Sequence, residues 1–267
     1  MKLNSFLVTF ALLVTILSPA SFAGSNNAGE ALFPADEITQ FAKSVERYAA
    51  NQGARAFIIA RVGRPAKELP TGIYFTHTAL AIYSDITLTD GKTVQGYAIH
   101  NLYQQADNPA KSMLMVDYPV DFFWSANELT AGIIIPTAAL QNKLINLVAT
   151  EQHKLLHNDR YSVIANPFNT RFQNCTEFTL DMINAAIYGT TDIDKLKVNA
   201  HAYFSPQVVA TSRLKLMLGS LFLAEVSTKD HKGKVQTATF STIAAYLKRY
   251  DLAEQVVHFS PQEIKTL

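Results

Sequence analysis

The chain has 267 residues, 48% of them hydrophobic and 17% charged, with a formal net charge of +1. That composition describes a globular protein with a sizeable core and excludes a disordered polyelectrolyte. The near-neutral balance offers no concentrated basic face for nucleic acid, and the single cysteine, Cys175, excludes an internal disulfide.

The first residues read as an export signal. Lys2 precedes an apolar run from Phe6 to Leu17, Ser18 and Pro19 break it, and Ser21-Phe22-Ala23 offers small residues to a signal peptidase, so cleavage is expected after Ala23. The run is too short to cross a bilayer, which takes about 20 residues, and no cysteine follows it to carry a lipid. Leu214 to Val226 is also apolar but contains Lys215, Gly219 and Glu225. The expectation is an exported, periplasmic protein with no membrane span after signal cleavage. A mature chain of roughly 240 residues accommodates one large domain or two small ones.

A polar lead-in, Gly24 to Glu30, is followed by helical spacing over Asp36 to Asn51, where Ile38, Phe41, Ala42, Val45 and Tyr48 share a face. Ala56 to Val62 reads as a buried strand, closed by a loop at Gly63-Arg64-Pro65. Ile73 to Tyr83 alternates, with Phe75, His77, Ala79 and Ala81 on one face and Tyr74, Thr76, Leu80 and Ile82 on the other. Asp90-Gly91 marks a hairpin turn, and Val94 to Tyr103 is its return strand, with Gly96, Ala98, His100 and Leu102 sharing a face. Two adjacent strands thus each carry a histidine among small residues.

Ser112 to Val116 and Gly132 to Ile135 extend the sheet, with an irregular aromatic stretch, Tyr118 to Trp124, read as core. Pro136-Thr137 opens a helix to about His157, and Tyr161 to Ala165 reads as a short strand. The loop Asn166-Pro167-Phe168-Asn169 then leads to Cys175 and a helix over Thr176 to Tyr188, capped by Gly189. A turn through Lys232-Gly233-Lys234 and a helix from Ser241 to about Tyr250 follow. The class is α+β, a largely antiparallel sheet packed with helices.

A lone thiol in an oxidising compartment needs a reason to persist, either burial as a small apolar side chain or chemistry. Asn174 is a favoured N-cap, and Glu177 stands where a capping box wants it. Cys175 therefore occupies the first turn of its helix, where unpaired N–H groups and the positive end of the dipole favour a thiolate. Of the seven histidines, His153 and His157 read as a solvated helix face rather than a metal pair, and His231 as surface. His77 and His100 remain as partners for the thiol, and no metal or cofactor is called for.

These residues carry a resemblance. Arg61-Val62-Gly63-Arg64, Thr76-His77-Thr78-Ala79-Leu80-Ala81-Ile82, Asn166-Pro167-Phe168-Asn169-Thr170-Arg171 and Asn174-Cys175-Thr176-Glu177-Phe178 look like a bacterial family known only as a domain of unknown function. More broadly, a strand histidine followed far downstream by Asn-Cys-x-x-Phe resembles the circularly permuted papain-like superfamily, which includes NlpC-type cell-wall peptidases and lecithin:retinol acyltransferase-like proteins. The resemblance covers about Ala56 to Tyr188.

It implies a papain-like core over residues 24–190 with its N-terminal helix, and a C-terminal extension over 191–267. It implies Cys175 as nucleophile, His77 as general base, and a polar third residue on the next strand; His100 fits that place, with Asn101 as the alternative. Arg61 and Arg64 become candidates to bind an acidic group on a substrate, or else a pair that braces the loop, and Arg171 and Glu177 support the cysteine turn. The function implied is a thiol hydrolase acting on an amide or peptide bond of the cell envelope. A lipid acyltransferase or thioesterase is the alternative on the same fold, and a non-catalytic envelope binding module is a rival of another class.

Overall fold

The computed structural model describes residues 31–209 and 226–267. The expected signal peptide, the lead-in Gly24 to Glu30 and nearly all of the apolar stretch Leu214 to Val226 lie outside the described residues. Among the described residues there are six α-helices and a seven-stranded sheet, with a separate two-stranded ribbon.

Helix α1 (Ala35–Asn51) opens the chain and buries Ile38, Phe41, Ala42, Val45 and Ala49. Strand β1 (Ala56–Val62) is buried throughout, as its unbroken apolar run requires. Strands β2 (His77–Thr87) and β3 (Thr93–Gln104) form the expected hairpin in the register Thr87↔Thr93. Gly91 sits at φ 81° in the connection, a left-handed position that Gly adopts without strain. Strand β4 (Ser112–Asp117) and strand β5 (Glu128–Pro136) follow, and between them Tyr118 to Trp124 is not irregular. Helix α2 (Pro119–Trp124) starts with Pro at its first turn, where the missing N–H costs nothing.

Helix α3 (Ala138–Ala149) ends before the expected His157, because Glu151 takes a left-handed φ of 58° and a 3-10 turn (Gln152–Leu156) continues in a new direction. Tyr161 to Ala165 is not a strand; Tyr161 makes a single bridge to Gln173. Helices α4 (Cys175–Tyr188) and α5 (Ile193–Tyr203) come next, with Gly189 at φ 65° closing α4. The ribbon strands β6 (Gln207–Val208) and β7 (Gln236–Thr237) precede α6 (Phe240–Arg249) and strands β8 (Ala253–Phe259) and β9 (Ile264–Thr266).

The large sheet runs β4-β3-β2-β1-β5-β8-β9, every neighbouring pair antiparallel. It separates two hydrophobic cores. One face packs on α3, α4, α5 and α6 through residues such as Ile58, Leu80, Leu102, Phe178 and Phe240. The other packs on α1 and α2 through Phe57, Ile59, Ala79, Ala81, Ile99 and Phe122. Each of the Ile, Leu and Phe side chains so buried contributes about 1.5–3 kcal/mol. Gly132 is the point of closest approach, since a Cβ there would lie 2.7 Å from the Phe240 ring.

Strand alternation thereby assigns faces. His77 belongs with Ala79 and Ala81 on the α2 side, and Leu80 and Ile82 face α4. Phe75 precedes β2 and packs with the α4-side core, not beside His77 as the alternation predicted.

Candidate active site

The chain reaches Cys175 through a polar turn. Asn174 is the N-cap of α4: its side-chain oxygen accepts the Glu177 N–H at 2.9 Å, and its Nδ2 donates to Val163 O at 3.0 Å. The reciprocal half of the expected capping box is absent, because Glu177 turns inward. Its Oε1 accepts from Lys197 Nζ at 2.6 Å, and the same ammonium donates to Asp181 Oδ1 and Oδ2 at 2.8 and 2.9 Å. Cys175 therefore starts a helix that is clamped to α5 one turn further on.

The thiol is 4% exposed. Its Sγ makes a long contact to Thr76 O at 3.9 Å and lies 3.8 Å from Thr176 Oγ1. Burial pushes the Cys175 thiol above the ordinary thiol range; the backbone N–H groups of Thr78 and Thr176, the Thr176 hydroxyl and the charge of Arg61 pull it back.

His77 is fully buried. Its ring stacks on Tyr103 at 4.7 Å between centroids and lies 5.5 Å from Phe122. Its Nε2 is 3.0 Å from Asn101 Oδ1. The amide orientation is settled by what else it touches: Asn101 Nδ2 donates to Ile99 O at 3.0 Å and to Asp117 Oδ2 at 3.2 Å, both acceptors. Asn101 thus offers His77 an oxygen, Nε2 must carry the proton, and Nδ1 is the lone-pair nitrogen. Nδ1 is buried and has no hydrogen-bond partner. Cys175 consequently does not hydrogen-bond it: α4 packs on the face of the sheet opposite the His77 side chain, and the sulfur meets the backbone beside it, at Thr76 O.

Burial, reinforced by the Arg61 charge, holds the His77 imidazole down at about 3, so it is neutral at physiological pH. Tyr103 Oη completes the outer network by donating to Asp117 Oδ2 at 2.5 Å. Burial raises the Asp117 carboxyl, with the Tyr103 hydrogen bond and Arg61 opposing.

His100 is not brought to this network. The register pairs Leu80 with His100, so His100 faces α4, whereas Asn101 shares the face of His77. His100 instead meets His153 at 5.4 Å between ring centroids, beside a cavity of about 150 Å³ that Phe178 and Leu114 also line. Burial lowers both imidazoles, His100 to about 4. His153 is therefore buried, not a solvated helix residue, and the His231 side chain is also buried, its Nε2 2.9 Å from Ile164 O. No cluster of three or more His, Cys, Asp or Glu suited to a metal occurs among the described residues.

Arg61 is not a surface residue: it is 2% exposed and pairs across the sheet with His77. Its Nη1 donates to the Phe122 carbonyl and, at 2.6 Å, to Ser125 Oγ. Its guanidinium lies over the Phe122 and Tyr103 rings, 5.2 and 5.9 Å from their centroids. Arg64 is half-buried in the loop beyond β1. Arg171 supports the cysteine loop by donating from Nη1 to Lys229 O at 2.8 Å.

No helix among the described residues is long and apolar enough to cross a membrane. The chain matches no curated protein and no solved structure. A family described as uncharacterized proteins conserved in bacteria, DUF2145, matches residues 48–247, a span that includes Arg61, His77, Asn101 and Cys175. The chain belongs to the DUF2145 family.

Proposed function

We propose that the protein is an exported, periplasmic thiol hydrolase of permuted papain-like topology, cleaving an amide or peptide bond of the cell envelope with Cys175 as nucleophile and His77 as general base. Asn101, not His100, is the residue that orients the base. The observation that carries this reading is the locked His77 tautomer: Asn101 Oδ1 accepts the Nε2–H hydrogen bond, which leaves a buried, unpartnered lone pair on Nδ1. A cysteine, histidine and asparagine in these roles form the papain-like variant of the catalytic triad. The order of elements agrees, since the histidine strand and the asparagine strand both precede the cysteine helix.

In the proposed reaction Nδ1 takes the Sγ proton and the sulfur bonds to the carbonyl carbon. The carbonyl electron pair moves to oxygen, where free N–H groups of the first turn of α4 hold it. Collapse of that intermediate breaks the C–N bond, and the leaving amine takes the proton from Nδ1. Water, deprotonated by the same nitrogen, then releases the acid from the thioester. An ester or thioester of a lipid would follow the same steps with a different leaving group.

A second reading, a non-catalytic envelope module on the same scaffold, is favoured by the burial of both Cys175 and His77. The rate of Cys175 alkylation against pH in the folded mature protein separates the two. The thiol-hydrolase reading expects labelling near neutral pH at about a hundredfold the rate of His77→Ala, the lower end of what a general base supplies. Labelling that appears only when the protein unfolds would establish a structural cysteine and the second reading.

A further inference from the structure

Arg61 is a buried cation without a partner anion. Among the described residues none of the ion pairs includes Arg61; Asp117 feels its charge, but the Asp117 Oδ2 atom accepts from Tyr103 Oη and Asn101 Nδ2. The guanidinium spends Nη1 on the Phe122 carbonyl and Ser125 Oγ, and its buried Nε has no acceptor. A guanidinium on a side chain only 2% exposed, with a buried Nε–H that has no acceptor, is costly to keep unless something else completes it. Its position says what that something adjoins. Arg61 stands directly across the ladder from His77. The two side chains pack on the same Tyr103 and Phe122 rings, and the charge of Arg61 is felt at Cys175 as well.

The resting site supplies no anion, because Cys175 is a neutral thiol held up by burial. We propose that the substrate carries a carboxylate close to its scissile carbonyl, and that Arg61 is the residue that binds it through the unused face of its guanidinium. The carboxylate is the ligand chemistry that a planar fork of N–H donors selects over a neutral amide. Arg61 is then a specificity residue, and the substrate class narrows to amides or peptides with an acidic group beside the bond. This inference rests on the assignment of Cys175 as an accessible nucleophile.

Two small alkylating agents of opposite character test it, iodoacetate carrying the carboxylate and iodoacetamide lacking it. Each forms an S–C bond with Cys175 and releases iodide. The ratio of their rates in the urea-unfolded protein gives the intrinsic preference of this thiol. In the folded protein the ratio is expected to shift toward iodoacetate by at least about tenfold, the least that a charge-assisted pair contributes. Arg61→Gln is expected to return the ratio to the unfolded value, and Arg61→Lys to retain part of the shift. Free acetate, and not acetamide, is expected to protect wild-type Cys175 from iodoacetamide, a readout that needs no variant to fold. Folded protein that reacts with iodoacetamide at the unfolded ratio, unprotected by acetate, overturns the role of Arg61 and leaves the nucleophile intact. Folded protein that reacts with neither reagent overturns the nucleophile, and this inference with it.

Discussion

Replacing Lys197 with Met removes one ammonium from between two carboxyl groups that are almost wholly buried. Lys197, Glu177 and Asp181 are 5%, 0% and 0% exposed, and the ammonium contacts both acids at 2.6 to 2.9 Å. Removing one partner of such a buried pair costs about 3–5 kcal/mol, because the other is left charged and dry. The loss depends on pH in a direction the structure sets. Burial pushes Glu177 up to about 8, with Lys197 opposing, and Asp181 is raised for the same reason. A carboxyl whose folded value lies above its unfolded value of 4.5 stabilises the fold most at low pH and loses that contribution as pH rises through about 8. Without Lys197 both acids move higher still, so Lys197→Met loses stability with rising pH more steeply than wild type. Urea unfolding from pH 5 to pH 9 measures this, with the full loss expected at the alkaline end. Glu177→Gln, which imitates the protonated acid, is expected to gain on wild type as pH rises through about 8. A loss in Lys197→Met below about 1 kcal/mol and independent of pH, typical of a solvated pair, would refute the reasoning.

Gly132→Ala brings a Cβ to 2.7–2.9 Å of three Phe240 ring atoms, an overpacking expected to cost about 1–3 kcal/mol in a thermal or urea melt and to be relieved by Phe240→Leu. Asn101→Ala frees the His77 ring and its tautomer, and is expected to slow Cys175 alkylation about 3–10-fold, one net hydrogen bond. His100→Ala alters a ring that packs on His153, on the face away from His77 and Asn101, and is expected to leave that rate within about twofold of wild type, measured with the same reagent. Asn101→Asp adds a buried carboxylate at His77 Nε2; the alkylation profile is expected to show an imidazole that now titrates well above about 3, the value held in the wild type.

The elements that were legible in the sequence are those in which local chemistry and tertiary packing agree. Helix α1 shows its buried stripe at helical spacing, β1 its continuous apolar run, and the β2–β3 hairpin its Asp90-Gly91 turn. Asn174 was readable as an N-cap because the cap is a local hydrogen bond. Glu177 was misread because its side chain is committed to Lys197, twenty residues away, and no local pattern announces a lysine that packs inward beside Leu196. The choice between His100 and Asn101 turned on strand register. The two are neighbours, so they lie on opposite faces, and a slip of one residue exchanges them. The sequence showed alternation within each strand, but the pairing Leu80↔His100 depends on the length and shape of the connection over 88–92. Arg61 was legible as a candidate and illegible as a buried one, since its cover comes from α2, which was read as irregular.

The identity of the orienting residue bears on how the proposed pair holds its proton. A carboxylate at Nε2 would stabilise an imidazolium and favour a preformed thiolate–imidazolium pair. The amide of Asn101 fixes the tautomer with only a weak pull in that direction, and burial and Arg61 press the other way, so His77 rests near 3 and Cys175 rests protonated. Such a pair holds no preformed thiolate, so on the proposed reading Cys175 reacts as fast as His77 can take the Sγ proton. On the proposed reading the burial of Cys175 and His77 and the unpartnered Nε of Arg61 belong to one arrangement, a thiol kept neutral at rest while Asn101 holds the tautomer of the base.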